Sequence, residues 1–287
     1  MLFNDQLAAF VEDRLKVKTG PAWSGKLGDD AVGPAVGVWV RQWGTGREFG
    51  FAGDTVFHPA STIKVGLLAG LYHLADKGKF NLDDKVEIAN SSPSSIDGSR
   101  FELSAEDDEE KTLYARVGEH ETLREIGRLM IVRSSNLGTN LLMDHVSPAD
   151  VTALMTSLGG GAEALLLRNR MMDIKAFDAG KTNRGTARGL CRLMDAIGKG
   201  ELPGSPEMIK VLLQQELNDG LPVGLGKHVK VAHKTGGITA HYHDIGIVRP
   251  GEKNAYAIAV LTRGFTVESE ATCLVADLAA RIDGQLR

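Results

Sequence analysis

The sequence predicts an α/β (α+β) protein: an antiparallel five-stranded sheet, assembled from both chain ends and flanked by helices, with an inserted all-helical lobe. Two strand patterns precede residue 58, three more follow residue 227, and the periodic segments between them have helical spacing. Sequential strands with short connections pair antiparallel. We therefore expect a discontinuous sheet domain (residues 1–58 and 216–287), an all-helical domain (residues 59–215), and a functional site in the cleft between them.

The N-terminal part contains one predicted helix and one predicted hairpin. In "MLFNDQLAAFVEDRL" the apolar residues fall on one side of a helix: Leu2, Phe3, Leu7, Phe10, Val11 and Leu15. A turn-rich connection, "GPAWSGKLGDDAVG", follows. The alternation in "AVGVWVRQW" and the turn Gly44-Thr45-Gly46 before "REFGFAGD" then predict a β-hairpin.

The middle of the chain has helical spacing, and its end returns to strands. We predict helices at residues 61–76, 122–132, 136–145, 148–158, 186–197 and 206–216. The strand patterns that follow are "HVKVAHKTGG", "HYHDIGIVRP" and "NAYAIAVLTRG", the last two joined by Pro250-Gly251. A final amphipathic helix is expected at residues 267–282.

The bulk composition excludes several classes of partner. The net charge is 33 − 37 = −4, so no basic excess attracts nucleic acid or an anionic membrane. No run of about 18 apolar residues predicts a membrane span, and the N-terminus does not resemble a signal peptide. We expect a monomer, cytoplasmic as the chain stands, or secreted or periplasmic if a leader has been removed. Cys191 and Cys273 are expected to be buried free thiols.

One segment lacks any clear periodicity. Residues 90–120 include five consecutive acidic residues, from Glu106 to Glu110. Such a run is typical of a solvated and partly mobile excursion, which is what we predict here. An acidic docking surface is the alternative interpretation.

The first of three motifs that carry chemically useful side chains lies in "FHPASTIKVG". Ser61 opens a helix that is apolar around most of its circumference, and Lys64 lies one turn later on the same face. Burial of an ammonium lowers its pKa toward the range where it accepts a proton. The pair is therefore a nucleophile beside a possible base. A capping serine and a lysine that reaches solvent are the alternative.

Two further motifs follow downstream. In "IVRSSNLGTNLLMDHV", Ser134 lies at a predicted helix start and Asn136 follows two residues later. This segment therefore offers a hydroxyl and an amide close together. They either act on a substrate or simply cap the helix. Lys234-Thr235-Gly236-Gly237 ends a strand pattern, offering a cation, a hydroxyl and a backbone that a ligand can approach. The alternative is a strand that ends at a glycine turn.

In this order, S-x-x-K, S-x-N and K-T-G form the pattern of penicillin-recognising serine enzymes, and the sequence resembles the class A β-lactamase family over nearly its whole length. The resemblance implies the serine β-lactamase fold. It makes Ser61 the acylated nucleophile, Lys64 its general base or proton relay, and Ser134 the donor of a proton to the leaving nitrogen. The oxyanion hole would consist of the backbone N–H groups of Ser61 and of Ile238 or Gly237.

The same resemblance assigns the substrate contacts. Asn136 would hold the side-chain amide of the substrate, while Lys234 and Thr235 would receive its carboxylate beside Gly236-Gly237. The middle of the second motif is Ser135, where class A enzymes usually carry an aspartate with a mainly structural role. This departure is compatible with the implied chemistry.

A second departure falls in the loop that carries the deacylating base. Class A enzymes place a glutamate there, in an E-x-x-L-N setting, to activate water, whereas here Met171 or Met172 takes its place. Asp173 is the candidate substitute; alternatively, it only ties down the loop through Arg168 or Arg170. We therefore expect a protein that is acylated by β-lactams and deacylates slowly.

Three histidines raise the question of a metal site. His241-x-His243 places two imidazoles on one face of a strand, and His233 lies nearby. A zinc site needs a further ligand and outer partners, and the sequence identifies neither. We predict ordinary histidines beside a polar cleft, and no metal or other cofactor.

The motifs together predict a β-lactamase-type serine hydrolase that acts on a small-molecule β-lactam or related acyl substrate. Two alternatives stay open. One is a serine peptidase or esterase of the same fold, acting on another substrate. The other is a non-catalytic penicillin-binding or sensor protein that retains the acyl group.

Overall fold

The computed structural model describes residues 3–17, 35–161 and 163–287, so the predicted turn-rich connection at residues 20–33 lies outside the described residues. The helices are α1 (Phe3–Val17), α2 (Lys64–Asp76), α3 (Leu123–Val132), α4 (Asn136–Leu142), α5 (Pro148–Ser157), α6 (Ile174–Asp178), α7 (Ala187–Gly198), α8 (Ser205–Leu212), α9 (Leu221–Leu225) and α10 (Glu268–Leu286). The strands are β1 (Ala35–Gln42), β2 (Glu48–Phe51), β3 (Val56–Phe57), β4 (Lys85–Glu87), β5 (Ser92–Pro93), β6 (Arg100–Phe101), β7 (His120–Thr122), β8 (Leu165–Leu166), β9 (Arg184–Thr186), β10 (Val231–Ile238), β11 (His241–Val248) and β12 (Tyr256–Arg263).

A five-stranded antiparallel sheet joins the two ends of the chain. Its strand order is β10-β11-β12-β1-β2, and the central pairing of β1 with β12 sets Val38 opposite Val260. The predicted sheet is therefore confirmed. The part inserted between β2 and β10 is mostly helical, but it also contains three short sheets that the helical spacing did not predict: β3-β9-β8, β4-β7 and β5-β6.

Helices cover both faces of the sheet. Along β12, Ile258 and Val260 pack into a core shared with α1, α9 and α10, whereas Ala259 and Leu261 pack into a second core shared with the helices of the inserted part. The side-chain period of two in a strand produces this division. Because neither face is left to water, the three C-terminal strands consist almost entirely of buried residues.

The acidic run is solvated at Glu106, Asp107 and Glu109, as predicted, but not at its two other residues. Glu110 is fully buried, and its carboxylate accepts hydrogen bonds from the backbone N–H groups of Thr112 at 2.8 Å and Leu113 at 3.0 Å. Asp108 is buried as well. The prediction was wrong for these two residues because a carboxylate that accepts backbone N–H bonds is stable away from water.

A smaller correction concerns Cys273, which is exposed, whereas Cys191 is buried as expected. Along α10, Cys273 shares the outward-facing stripe with Ala280 and Gly284, seven and eleven residues later. No helix among the described residues is long and apolar enough to cross a membrane.

A buried ion pair fixes α10 to the sheet. Both guanidinium Nη atoms of Arg249 donate to the carboxylate of Asp283, at 2.6 and 2.8 Å. The hydroxyl of Tyr256 and Nε of Arg287 donate to the same carboxylate, at 3.1 and 2.8 Å. Asp283 therefore holds the end of β11, the start of β12 and the C-terminus of the chain together.

We predict that Asp283→Asn lowers the free energy of unfolding by about 3 kcal/mol, because it leaves the buried Arg249 charge without a counter-charge. Urea denaturation provides the measurement. Asp277→Asn is the matched control, since Asp277 lies on the same helix but pairs with Arg14 at the surface and should cost less than about 1 kcal/mol. Equal losses in the two variants would contradict this account.

Candidate active site

Ser61 lies where the helical part of the chain meets the sheet, and it lines a cavity of about 530 Å³. It belongs to a 3₁₀ turn, Ala60–Ile63, that precedes α2, so the predicted α-helical start at Ser61 was one turn too early. Strand β10 runs close beside this turn. A Cβ added to Gly236 would lie 3.0 Å from the backbone nitrogens of Ser61 and Thr62, so only glycine fits without a shift of the backbone.

Lys64 is fully buried one turn after Ser61. Its Nζ donates to the carbonyl oxygen of Ser134 at 2.6 Å, to Oδ1 of Asn136 at 2.8 Å and to Oγ of Ser134 at 3.3 Å. Burial lowers the pKa of Lys64 to about 7, against the opposing charges of Asp108 and Glu109. The amine can therefore exist in the neutral, proton-accepting form near neutral pH.

The turn before α4 presents Ser134 and Asn136 to this amine. Ser134 has a left-handed backbone, with φ of 57°, and lies two residues before α4, whose start at Asn136 agrees with the helix predicted at residues 136–145. Ser135 is the N-cap, and its hydroxyl accepts from the N–H of Gly138 at 3.0 Å. Ser135 thus has a structural part of its own in the motif.

Asp108 completes this helix start and was missed by the sequence analysis. Its Oδ2 accepts from the backbone N–H of Asn136 at 2.8 Å and of Leu137 at 3.0 Å, and it also accepts from the hydroxyl of Tyr114 at 2.9 Å. A carboxylate at a helix N-terminus satisfies free N–H groups and is favoured by the helix dipole. The acidic run itself was visible in the sequence, but its distant partner was not.

The third motif lies on the edge strand β10. Lys234 is fully buried and donates to the carbonyl oxygen of Thr235 at 3.0 Å. Burial lowers its pKa well below the usual value, and the nearby Lys64 charge lowers it further, against Asp244 and Glu109. Seven residues predicted from the motifs line the one cavity: Ser61, Ser134, Asn136, Thr235, Gly236, Gly237 and Ile238.

Asp173 occupies a different setting. It is 5% exposed, and its carboxylate accepts from Oγ of Ser94 at 2.9 Å, from the N–H of Ser95 at 2.7 Å and from the N–H of Ala176 at 3.2 Å. Among the residues that the structure describes, the cavity lining does not include Asp173. Its contacts tie the start of α6 to the segment around β5.

Two neighbours of Asp173 are fixed in other ways. Arg170 donates to the carbonyl oxygen of Asn140 and to the carboxylate of Asp144. Met171 exchanges hydrogen bonds with the side chain of Asn140, at 2.7 and 3.1 Å. Met172 is 46% exposed and has a left-handed backbone. The loop is thus held by α4 and by the Ser94–Ser95 segment.

The histidines have separate partners. Nδ1 of His233 lies 2.9 Å from a carboxylate oxygen of Asp244, and Nε2 of His243 lies 2.8 Å from the carbonyl oxygen of His58. Nδ1 of His241 lies 2.9 Å from the carbonyl oxygen of Thr239. Within the described ranges, no group of three or more His, Cys, Asp and Glu side chains is placed to hold a metal ion.

The sheet, the inserted helices and the serine-bearing turn define the serine β-lactamase fold. The chain belongs to the β-lactamase enzyme family, whose family model matches residues 26–285. It is 27% identical over 215 residues to β-lactamase L2 of Stenotrophomonas maltophilia, covering 72% of this chain and 66% of that protein. The chain thus spans just under two thirds of that relative.

Solved structures show the same fold. The β-lactamase of Sphaerobacter thermophilus superposes with a TM-score of 0.76 at 21% identity, covering 98% of this chain and 96% of that chain. The class A β-lactamase of the last common ancestor of Gram-negative bacteria gives 0.78 at 23% identity, covering 98% and 99%. PBP-A gives 0.74 at 23% identity, covering 97% and 96%.

We predict that Lys64 titrates near pH 7, because burial disfavours its charged form. Lysine labelled with ¹³C at Cε, with the Lys64 resonance assigned by its loss in Lys64→Ala, gives the measurement by NMR. Exposed lysines should titrate near about pH 10.4. Since the unfolded chain holds this proton to higher pH, the Lys64 contribution to stability should rise with pH from about 7 upward. A midpoint near that of the exposed lysines would contradict the assignment.

Proposed function

We propose that this chain is a β-lactamase-type serine hydrolase that forms an acyl-enzyme on Ser61 and cleaves the amide bond of a β-lactam. The site lies in the cleft between a sheet domain (residues 1–58 and 216–287) and a helical domain (residues 59–215). The observation that carries the proposal is the fully buried amine of Lys64, which contacts Ser134 and Asn136 beside the serine.

In the proposed reaction, Oγ of Ser61 attacks the lactam carbonyl carbon as its proton moves to neutral Lys64. The backbone N–H groups of Ser61 and of Gly237 or Ile238 stabilise the oxyanion. Collapse of the tetrahedral intermediate breaks the C–N bond and leaves an ester on Ser61. Ser134, whose hydroxyl lies 3.3 Å from Nζ of Lys64, passes the proton to the leaving nitrogen.

The remaining motif residues bind the substrate in this proposal. Asn136 lines the cavity beside Ser134, and its amide holds the amide of the acyl side chain. Lys234 and the hydroxyl of Thr235 receive the carboxylate on the other side of the lactam. The oxygens of Asn136 and Ser134 remain in contact with Lys64, so substrate binding and base positioning use the same short segment.

Slow deacylation is part of the proposal. Met171 and Met172 supply no group that can activate water, and the Asp173 carboxylate already accepts three hydrogen bonds, two from the Ser94–Ser95 segment and one from Ala176. These contacts favour the anchoring role of Asp173 over its assignment as the deacylating base, which stays a prediction. They also favour, as a second candidate function, a penicillin-binding protein that retains the acyl group.

The choice between these functions follows from one experiment with a chromogenic cephalosporin. Release of colour and the intact mass of the protein are recorded together. We expect stoichiometric release in a burst, a mass adduct, and slow release thereafter. Steady release would require a base that activates water, whereas a permanent adduct would establish the penicillin-binding function. With neither release nor an adduct, the serine peptidase or esterase alternative is tested on ester and peptide substrates.

Two variants locate the chemistry. Ser61→Ala should abolish the adduct, and Lys64→Ala should slow acylation by about 10²- to 10⁴-fold, the usual contribution of a general base. Both proteins should keep the wild-type circular dichroism spectrum. An adduct on Ser61→Ala would remove Ser61 from the mechanism.

Asp173→Asn tests the anchoring role. We expect a loss of about 1–2 kcal/mol in stability, from weakened hydrogen bonds to buried donors, and no change in the rate at which the adduct decays. Asp178→Asn, at the exposed last residue of α6, is the matched control and should change neither quantity. Slower decay in Asp173→Asn alone, by about 100-fold or more, would identify Asp173 as the base.

A further inference from the structure

The cavity that contains Ser61 carries acidic side chains on both walls. Asp107 and Glu109 border it on the side of the inserted helices, and Asp219 and Glu268 border it on the side of the sheet and α10. No lysine or arginine occurs among its described lining residues. A substrate that enters this cavity therefore meets a negative potential, which low-dielectric walls strengthen.

Most of this charge is not neutralised locally. Asp219 accepts a hydrogen bond from the hydroxyl of Tyr242, a neutral donor, at 2.6 Å. The carboxylates of Asp107, Glu109 and Glu268 make no hydrogen bond or ion pair with another residue of the described ranges. Three acidic groups thus remain available to a ligand.

The two lysines of the site do little to offset them. Burial lowers the pKa of Lys64 to about 7 and that of Lys234 well below its usual value, and the Lys64 charge lowers the pKa of Lys234 further. Glu109 opposes both shifts, so its carboxylate is within electrostatic reach of both amines. The cavity walls therefore carry four carboxylates, whereas the two buried amines contribute only a weakened positive charge.

Glu109 has a fixed position in spite of its exposure. Asp108 is attached to the N-terminus of α4, and Glu110 is buried against its own backbone turn. In an extended stretch, alternate residues face opposite ways, so the residue between these two anchors faces the cavity. The anchor is also specific, because Asp108 binds the N–H of Asn136, the residue assigned above to the acyl side-chain amide.

Independently of the acidic residues, the cavity is built to hold a ligand. Thr235 is only 4% exposed and lines the cavity, and its hydroxyl forms no hydrogen bond with another described residue. The hydroxyl is open to the cavity, so water or a ligand completes its hydrogen bonds there. It lies next to Lys234 on β10, on the wall that meets Ser61.

We propose that the cavity selects substrates whose acyl side chain carries a cationic amino group, received by Glu109 with Asp107 beside it. The inference rests on the proposed function, because it uses the assignment of Asn136 to the amide of that side chain. A zwitterionic acyl donor would place its carboxylate toward Lys234 and Thr235 and its ammonium toward Glu109. A donor that carries only negative charge would be repelled by the cavity walls.

Three penicillins that differ in one substituent provide the probes: benzylpenicillin, α-aminobenzylpenicillin and α-carboxybenzylpenicillin. Their dissociation constants are measured on Ser61→Ala, which keeps the cavity and prevents chemistry, at a pH where the amino group is protonated. We expect the amino compound to bind roughly 3- to 10-fold more tightly than the parent, and the carboxy compound more weakly than the parent. Added salt should reduce this preference by screening.

Glu109→Gln in the Ser61→Ala background should remove most of the preference for the amino compound. Glu106→Gln is the matched control, since it removes the same charge from the same acidic run at a residue outside the cavity lining, and it should keep the preference. Equal binding of the three compounds, or an equal effect of the two substitutions, would overturn the inference.

Adduct formation by wild-type protein separates this inference from the proposed function. Preferential binding of the amino compound without any adduct would support the inference and overturn the acyl-enzyme proposal. Adducts from all three compounds, with no preference in binding, would support the acyl-enzyme proposal and overturn the inference. If Glu109→Gln slowed adduct decay equally for all three compounds and left binding unchanged, Glu109 would act on water and not on the substrate amine, which also overturns the inference.

Discussion

The burial of the Lys64 amine is the constraint on which the rest of the site depends. An amine without exposure to water needs protein acceptors, and here the carbonyl oxygen of Ser134 and Oδ1 of Asn136 supply them. Both oxygens reach Nζ only because the chain turns left-handed at Ser134 and starts α4 at Asn136. The capping contacts of Asp108 hold that helix start in place. A residue in an acidic run thus supports the geometry of a residue 44 positions earlier in the chain.

The sheet contributes the opposite wall of the site. Because the sheet is assembled from both chain ends, the position of this wall depends on strands from both ends. Strand β10 is an edge strand whose free side meets the turn that carries Ser61, and Gly236 allows the two backbones to approach. The position of β10 is set through β11 and β12 by their pairing with β1. The Asp283 contacts with Arg249 and Tyr256 then fix the end of β11 and the start of β12 to α10.

Much of this arrangement could be predicted from sequence, because it depends on local patterns. Strand alternation and helical spacing sufficed for the sheet, and the three motifs sufficed for seven of the residues that line the cavity. The parts that could not be predicted depend on partners far away in the chain. Asp108 and Glu110 belong to an acidic run, and only the folded structure supplies the N–H groups that make their burial stable. The distinction between Cys191 and Cys273 likewise depends on which side of each helix meets the core.

Acylation and deacylation need different groups in such a site. A site can therefore be equipped for the first step and lack the base that the second step needs. In the proposed scheme, acylation uses groups held by the core: the turn at Ser61, the buried Lys64 and the start of α4. Deacylation in the proposed scheme needs a carboxylate that is free to take a proton from water. The Asp173 loop instead uses its carboxylate to bind Ser94, Ser95 and Ala176. Because both oxygens of this carboxylate already accept hydrogen bonds from protein donors, the contacts that fix this loop oppose the use of Asp173 as a base.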